Sequence, residues 1–109
     1  MSLMDDNHNG QIIDLVKFYN INCIVETGTH MGDTTERLAL MFPDIEVHTV
    51  EIDQTSYYKA SARLSSFKNV RCHLGSSDKV LETLIPTLLN KKIFFLFRCT
   101  LVGILASKE

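Results

Sequence analysis

Short apolar runs alternating with helical segments at a regular pitch constrain this chain more than any other feature. Ile12, Leu15, Val16 and Tyr19 fall at helical spacing, which predicts an amphipathic helix over about Gln11 to Tyr19, ended by Asn20 and Asn22. Cys23-Ile24-Val25 reads as a buried strand ending near Glu26. Gly28 to Asp33 is a turn. A helix follows from about Thr34 to Phe42, with Asp33 as its cap, Glu36 completing a capping box and Pro43 as its stop. Glu46 to Glu51 reads as a second strand, Gln54 to Leu64 as a helix and Val70 to Leu74 as a third strand. Ser77 is a suitable cap for a helix whose Leu81, Leu84, Ile85 and Leu88 share one face. Ile93 to Phe97 reads as a fourth strand.

This α-β-α-β-α-β-α-β order implies βαβ units. The expected fold is α/β, a Rossmann-like, doubly wound parallel sheet of about four strands. Ligands on such sheets bind beyond the carboxyl ends of the strands. The loops after Val25, Val50 and Leu74 should therefore share one crevice.

With 109 residues, the chain has room for one small domain. Its 45% hydrophobic and 22% charged content is that of a packed domain. A formal net charge of -2 carries no basic excess, so nucleic acid is not an expected partner. Cys23, Cys72 and Cys99 form no Cys-x-x-Cys pair, so neither a disulfide framework nor a metal site is expected. Cys72-His73 is not a metal pair either, because adjacent strand residues point to opposite faces. Buried thiols fit a reducing cytoplasm. Residues 1–10 are polar and acidic and read as a leader and disordered start, with Met1-Ser2-Leu3 resembling a cloning leader before Met4. No run reaches the roughly 20 apolar residues that cross a bilayer, so no membrane association is expected.

The chemistry concentrates in the first predicted loop, Glu26-Thr27-Gly28-Thr29-His30-Met31-Gly32. Gly28 permits a tight turn, and Gly32 removes a side chain where a ligand or the following helix comes close. A dinucleotide fingerprint starting at Gly28 would need glycines where this chain has His30 and Asp33. An acid at Asp33 would also oppose a pyrophosphate at the helix N-terminus. The turn thus suits a ligand without phosphates and speaks against a nicotinamide-dependent dehydrogenase fragment. Glu51, at the tip of the second strand, is placed to accept hydrogen bonds from vicinal ribose hydroxyls. Ser76 and Ser77 stand where an adenine edge would lie.

Val25-Glu26-Thr27-Gly28-Thr29-His30-Met31-Gly32-Asp33-Thr34-Thr35 resembles motif I of class I S-adenosylmethionine-dependent methyltransferases. Val47-His48-Thr49-Val50-Glu51-Ile52-Asp53 is similar to their second motif, and Asn69 to Ser77 to the third. The resemblance covers roughly Ile21 to Leu96 and is nearest to small-molecule O-methyltransferases. It implies S-adenosylmethionine as cofactor and a small-molecule methyl acceptor as partner. It further implies Glu26 near the methionine amino group, the Gly28, Thr29, His30 and Gly32 backbone against the methionine and ribose, and Glu51 on the ribose hydroxyls. Ile52 would then pack on the adenine face, with Ser76 or Ser77 at its edge. Many relatives carry glycine at the position of His30 and an acid at that of Ser76. No catalytic residue is assigned.

Plainer roles stand beside these. Glu26 and Glu51 could be solvated strand-end carboxylates, and His30 a loop residue lining the site. His48 fits a structural role, Asp53 and Asp78 fit helix caps, and Tyr57-Tyr58 fits packing or a rim. After the fourth strand the composition changes abruptly. Where relatives place an acidic stretch, this chain has Phe97-Arg98-Cys99-Thr100-Leu101-Val102-Gly103-Ile104-Leu105. The expected organisation is a partial cofactor-binding domain over residues 11–97 and an atypical tail over 98–109, as a truncation or altered reading frame would leave. Such a chain would be an enzyme domain lacking its catalytic half, or a binding-only or structural remnant. An uncovered fourth strand and the apolar segment Ile93 to Leu105 predict homo-oligomers through the C-terminal segment.

Overall fold

The computed structural model describes residues 9–97 and 100–105. The expected leader therefore falls largely outside the described residues, as do Arg98, Cys99 and the end of the tail. The elements are α1 (Asn9–Phe18), β1 (Cys23–Thr27), α2 (Asp33–Met41), β2 (Glu46–Glu51), α3 (Gln54–Leu64), β3 (Val70–Leu74), α4 (Ser77–Leu84), β4 (Ile93–Phe97) and β5 (Thr100–Leu105). A 3-10 turn, Ile85–Leu88, continues α4. The sheet order is β3-β2-β1-β4-β5. β1 to β4 are parallel, in the register Val25 to His48 to Arg71 on one side and Val25 to Phe95 on the other. The winding reverses between β1 and β4, and a crevice opens at the carboxyl ends of strands at such a reversal.

Period-two alternation divides the sheet between two cores. On one face Ile24, Val47, Phe94 and Leu96 pack with Ile12 and Val16 of α1, Leu38 of α2 and Leu64 of α3. On the other, Cys23, Val25 and Ile93 pack with Leu88, and Leu81 and Leu84 of α4 are partly buried against them. Each fully buried Ile, Leu or Phe stabilises the fold by about 1.5–3 kcal/mol, so the three-helix face dominates. No helix among the described residues is long and apolar enough to cross a membrane.

Four details depart from the sequence expectation. The apolar tail turns back, and β5 pairs antiparallel with β4, with Phe97 opposite Thr100. The outer edge of β4, expected to be open, is thus taken by the same chain, satisfying the backbone groups that an edge strand exposes. Asp33 does not cap α2. Gly32 occupies the N-cap in the left-handed conformation (φ 91°), which brings the helix start forward by one residue. Asp33 is then free to pair with Arg63 of α3. Ser76 rather than Ser77 is the N-cap of α4, without a side-chain cap bond. The apolar stripe expected to run through Leu88 as one helix changes to 3-10 geometry at Ile85, where Pro86 lacks the amide an α-helix needs.

Candidate functional site

The loops after β1, β2 and β3 meet at the carboxyl end of the sheet. Gly28 (φ 84°) and His30 (φ 53°) both take left-handed backbone conformations. For His30 that conformation costs about 1–2 kcal/mol, and it is the position where glycine would be free of strain. The turn is nonetheless held firmly. The Gly28 and Thr29 amides donate to the Val50 carbonyl at 2.8 and 3.2 Å, and the His30 amide donates to Glu51 Oε1 at 2.7 Å. Glu51 Oε2 accepts from the Asp53 amide at 2.9 Å. The Gly75 amide donates to the Glu51 carbonyl at 3.0 Å, tying in the third loop. One acidic residue therefore fastens all three loops.

Beneath the turn lies a second carboxylate. Glu26 is fully buried. Its Oε1 accepts from the Thr35 hydroxyl of α2 and from Thr49 Oγ1 of β2, the latter at 2.7 Å. Thr49 in turn is 2.6 Å from Thr29 Oγ1. Glu26 Oε2 has no hydrogen-bond partner among the described residues. Burial pushes the Glu26 carboxyl up to about 7, against the pull of the Thr35 and Thr49 hydroxyls and with a further push from Glu51. Glu26 and Glu51 thus stand at the tips of neighbouring strands, the first linked through Thr49 to Thr29 of the turn and the second to His30 beside it.

A cleft of about 120 Å³ at this end is lined by Thr27, Gly28, His30, Val50, Glu51, Ile52, Ser77 and Phe97. A shallower hollow beside it reaches Thr29 and Met31. Of the expected site residues, Gly28, His30, Glu51, Ile52 and Ser77 line the cleft, with Ile52 71% exposed and available to a flat ligand face. Thr29 is buried, its side chain turned to Thr49. Gly32 does not line the cleft. A Cβ there would meet Leu64 Cδ1 at 3.4 Å, so its bare backbone serves the approach of α3. Ser76 is likewise absent from the lining, and its buried Oγ has no partner among the described residues. Thr35 and Thr49 were missed from sequence. The available signal for Thr49 was its place two residues before Glu51, on the same strand face.

A larger hollow of about 540 Å³ lies between α2 and α3, lined by Asp33, Glu36, Arg37, Leu40, Met41 and Arg63. Arg63 already spans Asp33 and Glu36 there and donates to the Met31 carbonyl at 3.2 Å. That groove is a helix-helix seam closed by ion pairs, remote from the strand tips where the loop network converges.

Residues 20–98 match a family model described as "Putative methyltransferase". The chain belongs to this methyltransferase family. Its fold is that of the class I S-adenosylmethionine-dependent enzymes, of the O-methyltransferase type. It is similar to a structure described as a "putative O-methyltransferase" from Klebsiella pneumoniae (26% identity, TM-score 0.61) and to the O-methyltransferase TomG from Streptomyces achromogenes, solved in complex with SAM (25% identity, TM-score 0.61). Each match covers 73% of this chain and 38% of the other. A structure described as a "putative caffeoyl-CoA O-methyltransferase" from Staphylococcus aureus shares the fold at 21% identity and TM-score 0.60, over 84% of this chain and 57% of its own. The methyltransferase chain thus spans little more than a third of the first two structures it resembles. No curated protein matches it.

Proposed function

We propose that the crevice at the tips of β1, β2 and β4 binds S-adenosylmethionine, and that the chain is the cofactor-binding portion of a methyltransferase acting on a small molecule. The observation that carries this reading is the cleft that Gly28, His30, Glu51, Ile52 and Ser77 line together at the strand tips; Glu26 does not line it but lies fully buried beneath the turn with Oε2 unpartnered. A buried carboxylate oxygen without a partner costs about 1–3 kcal/mol, and an incoming ammonium group would remove that cost. The methionine end of the cofactor carries such a group. Glu51, already oriented by two loop amides, retains lone pairs for ribose hydroxyls. The open face of Ile52 offers an apolar platform for adenine, and Ser77 a polar edge.

The bound cofactor would supply an activated methyl group for in-line transfer, and the chain's own residues would hold the donor in place and exclude water. At about 120 Å³ the cleft is smaller than the roughly 300–1,000 Å³ usual for small-molecule sites. The remaining walls, the acceptor site and any base would therefore come from elements beyond those described. The chain by itself would bind cofactor without turning over.

Isothermal titration with S-adenosylhomocysteine tests the proposal. Measurable binding that weakens at least about tenfold in Glu51→Ala, with no heat from NAD, is the expected result. Silence towards S-adenosylhomocysteine, or equal binding by the variant, would overturn it.

A further inference from the structure

Three potential metal ligands converge at the other end of the sheet and on its opposite face. Cys23 opens β1 and stands directly across from Glu46, the first residue of β2. His48 follows two positions later on the same face. One ligand atom from each of Cys23, Glu46 and His48 lies within 4.8 Å of the others. Cys23 is fully buried and His48 is 6% exposed.

The imidazole is oriented by a neighbour. His48 Nδ1 lies 2.9 Å from His73 Nε2, and the two rings stack. In the tautomer whose Nδ1–H donates to His73, His48 Nε2 presents a bare lone pair. That atom is buried without a hydrogen-bond partner. Glu46 Oε2 stands 3.3 Å from it but without hydrogen-bonding geometry. In that tautomer the Nε2 lone pair faces the Glu46 carboxylate, a repulsive contact that a cation between them would make attractive.

We propose that Cys23, Glu46 and His48 bind a divalent cation of the zinc type, with His73 orienting His48 from behind. A sulfur, an imidazole nitrogen and one carboxylate match the ligand preferences of Zn²⁺ and not those of Mg²⁺ or Ca²⁺. Metal–ligand bonds of about 2.0–2.3 Å place tetrahedral ligand atoms roughly 3.3–3.8 Å apart. The Nε2 to Oε2 separation of 3.3 Å already meets that, and since no pair of ligand atoms is more than 4.8 Å apart, the thiol closes by about 1 Å at most. Burial, reinforced by Glu46, holds the Cys23 thiol up at about 11 without a cation, Lys91 pulling weakly the other way. On binding, the S–H bond breaks, its proton passes to solvent and the thiolate forms the metal bond. Lys91 Nζ, 3.9 Å from Glu46 Oε2 and partly exposed, is the cation displaced. The fourth position is left to water.

Cys23 and Thr27 are separated by about 13 Å of strand. The site is therefore distinct from the crevice, and it fastens β1 to β2 at their amino ends. Spacing rules along the chain miss it because its ligands meet across strands.

Titration of the whole chain with Co²⁺ tests the proposal. The expected result is a near-ultraviolet thiolate-to-cobalt band with visible bands of tetrahedral intensity, saturating at one equivalent and bleached by Zn²⁺. Cys23→Ser should remove the near-ultraviolet band, and Cys72→Ser should leave it. Glu46→Gln and His48→Gln should weaken binding at least about tenfold, and His73→Gln by about 10–100-fold. Absence of the near-ultraviolet band in the unaltered chain, or its survival in Cys23→Ser, would overturn the proposal. If Cys23→Ser does not fold, Glu46→Gln decides, since its side chain is partly exposed, and unchanged cobalt affinity in that variant would overturn it equally.

Discussion

Glu26→Gln replaces a buried carboxylic acid with a neutral amide of nearly the same shape. The amide oxygen can still accept from Thr35 and Thr49, so the main change is the loss of an ionisation. In the folded chain burial raises the carboxyl from 4.5 to about 7. Below the lower value both folded and unfolded chains hold the proton, and ionisation costs nothing. Between the two values the unfolded chain releases its proton while the folded chain keeps it, so stability falls as pH rises. Above about 7 both are ionised and the whole cost is in place. At about 1.36 kcal/mol for each pH unit, the cost is about 3 kcal/mol. His73 runs the other way, since burial and His48 lower its basicity and stability recovers as it loses its proton. That contribution is common to both proteins and cancels in the difference between them. The assay is urea unfolding of both proteins between about pH 5 and pH 8, followed by far-ultraviolet circular dichroism because the chain has no tryptophan. Relative to the unaltered chain, Glu26→Gln should gain roughly 2–3 kcal/mol across that range. A difference that stays constant with pH would refute the reasoning, because it would mean that Glu26 is not held neutral by its surroundings.

Other perturbations follow from the same geometry. Thr49→Val removes a hydroxyl that favours the charged form of Glu26, so the Glu26 titration, read by carboxyl NMR shifts, should move further up; a downward movement would contradict the hydrogen-bond assignment. Gly32→Ala forces an alanine into φ 91° against Leu64 and should cost about 1–2 kcal/mol in thermal unfolding. No loss there would mean that the α2 start relaxes freely. We further propose that the outer edge of β5 pairs with a second copy, so light scattering should report dimers or larger species at moderate concentration, and a monomer would exclude that pairing.

Much of this architecture is legible in the sequence because apolar runs ending in acids mark parallel strands with functional tips. β2, α3, β3 and β4 have the bounds that patterning predicts, and Asp53 caps α3 by accepting from the Ser56 amide. What patterning misses depends on geometry between elements. Asp33 carries a cap signature, yet left-handed Gly32 takes the cap and Arg63 takes the acid. Pro86 interrupts an apolar stripe that periodicity alone would continue. The return of the tail as β5 requires the free edge of β4, which exists only once the sheet is assembled. At the site, Glu26 and Glu51 stand out as strand-end acids, but the spacing of neither shows that loop amides orient one and threonine hydroxyls the other. His48 reads as structural, while its bare Nε2 depends on a partner 25 residues away.

Under the proposal, the loops at the carboxyl end of the sheet grip S-adenosylmethionine. An amide NMR map of the labelled chain, with and without S-adenosylhomocysteine, tests it residue by residue. The expected result is saturable shifts at Gly28, His30, Ile52 and Ser77, and none at Cys23 or Glu46. Shifts centred on the groove between α2 and α3, or none anywhere at saturating ligand, would contradict it.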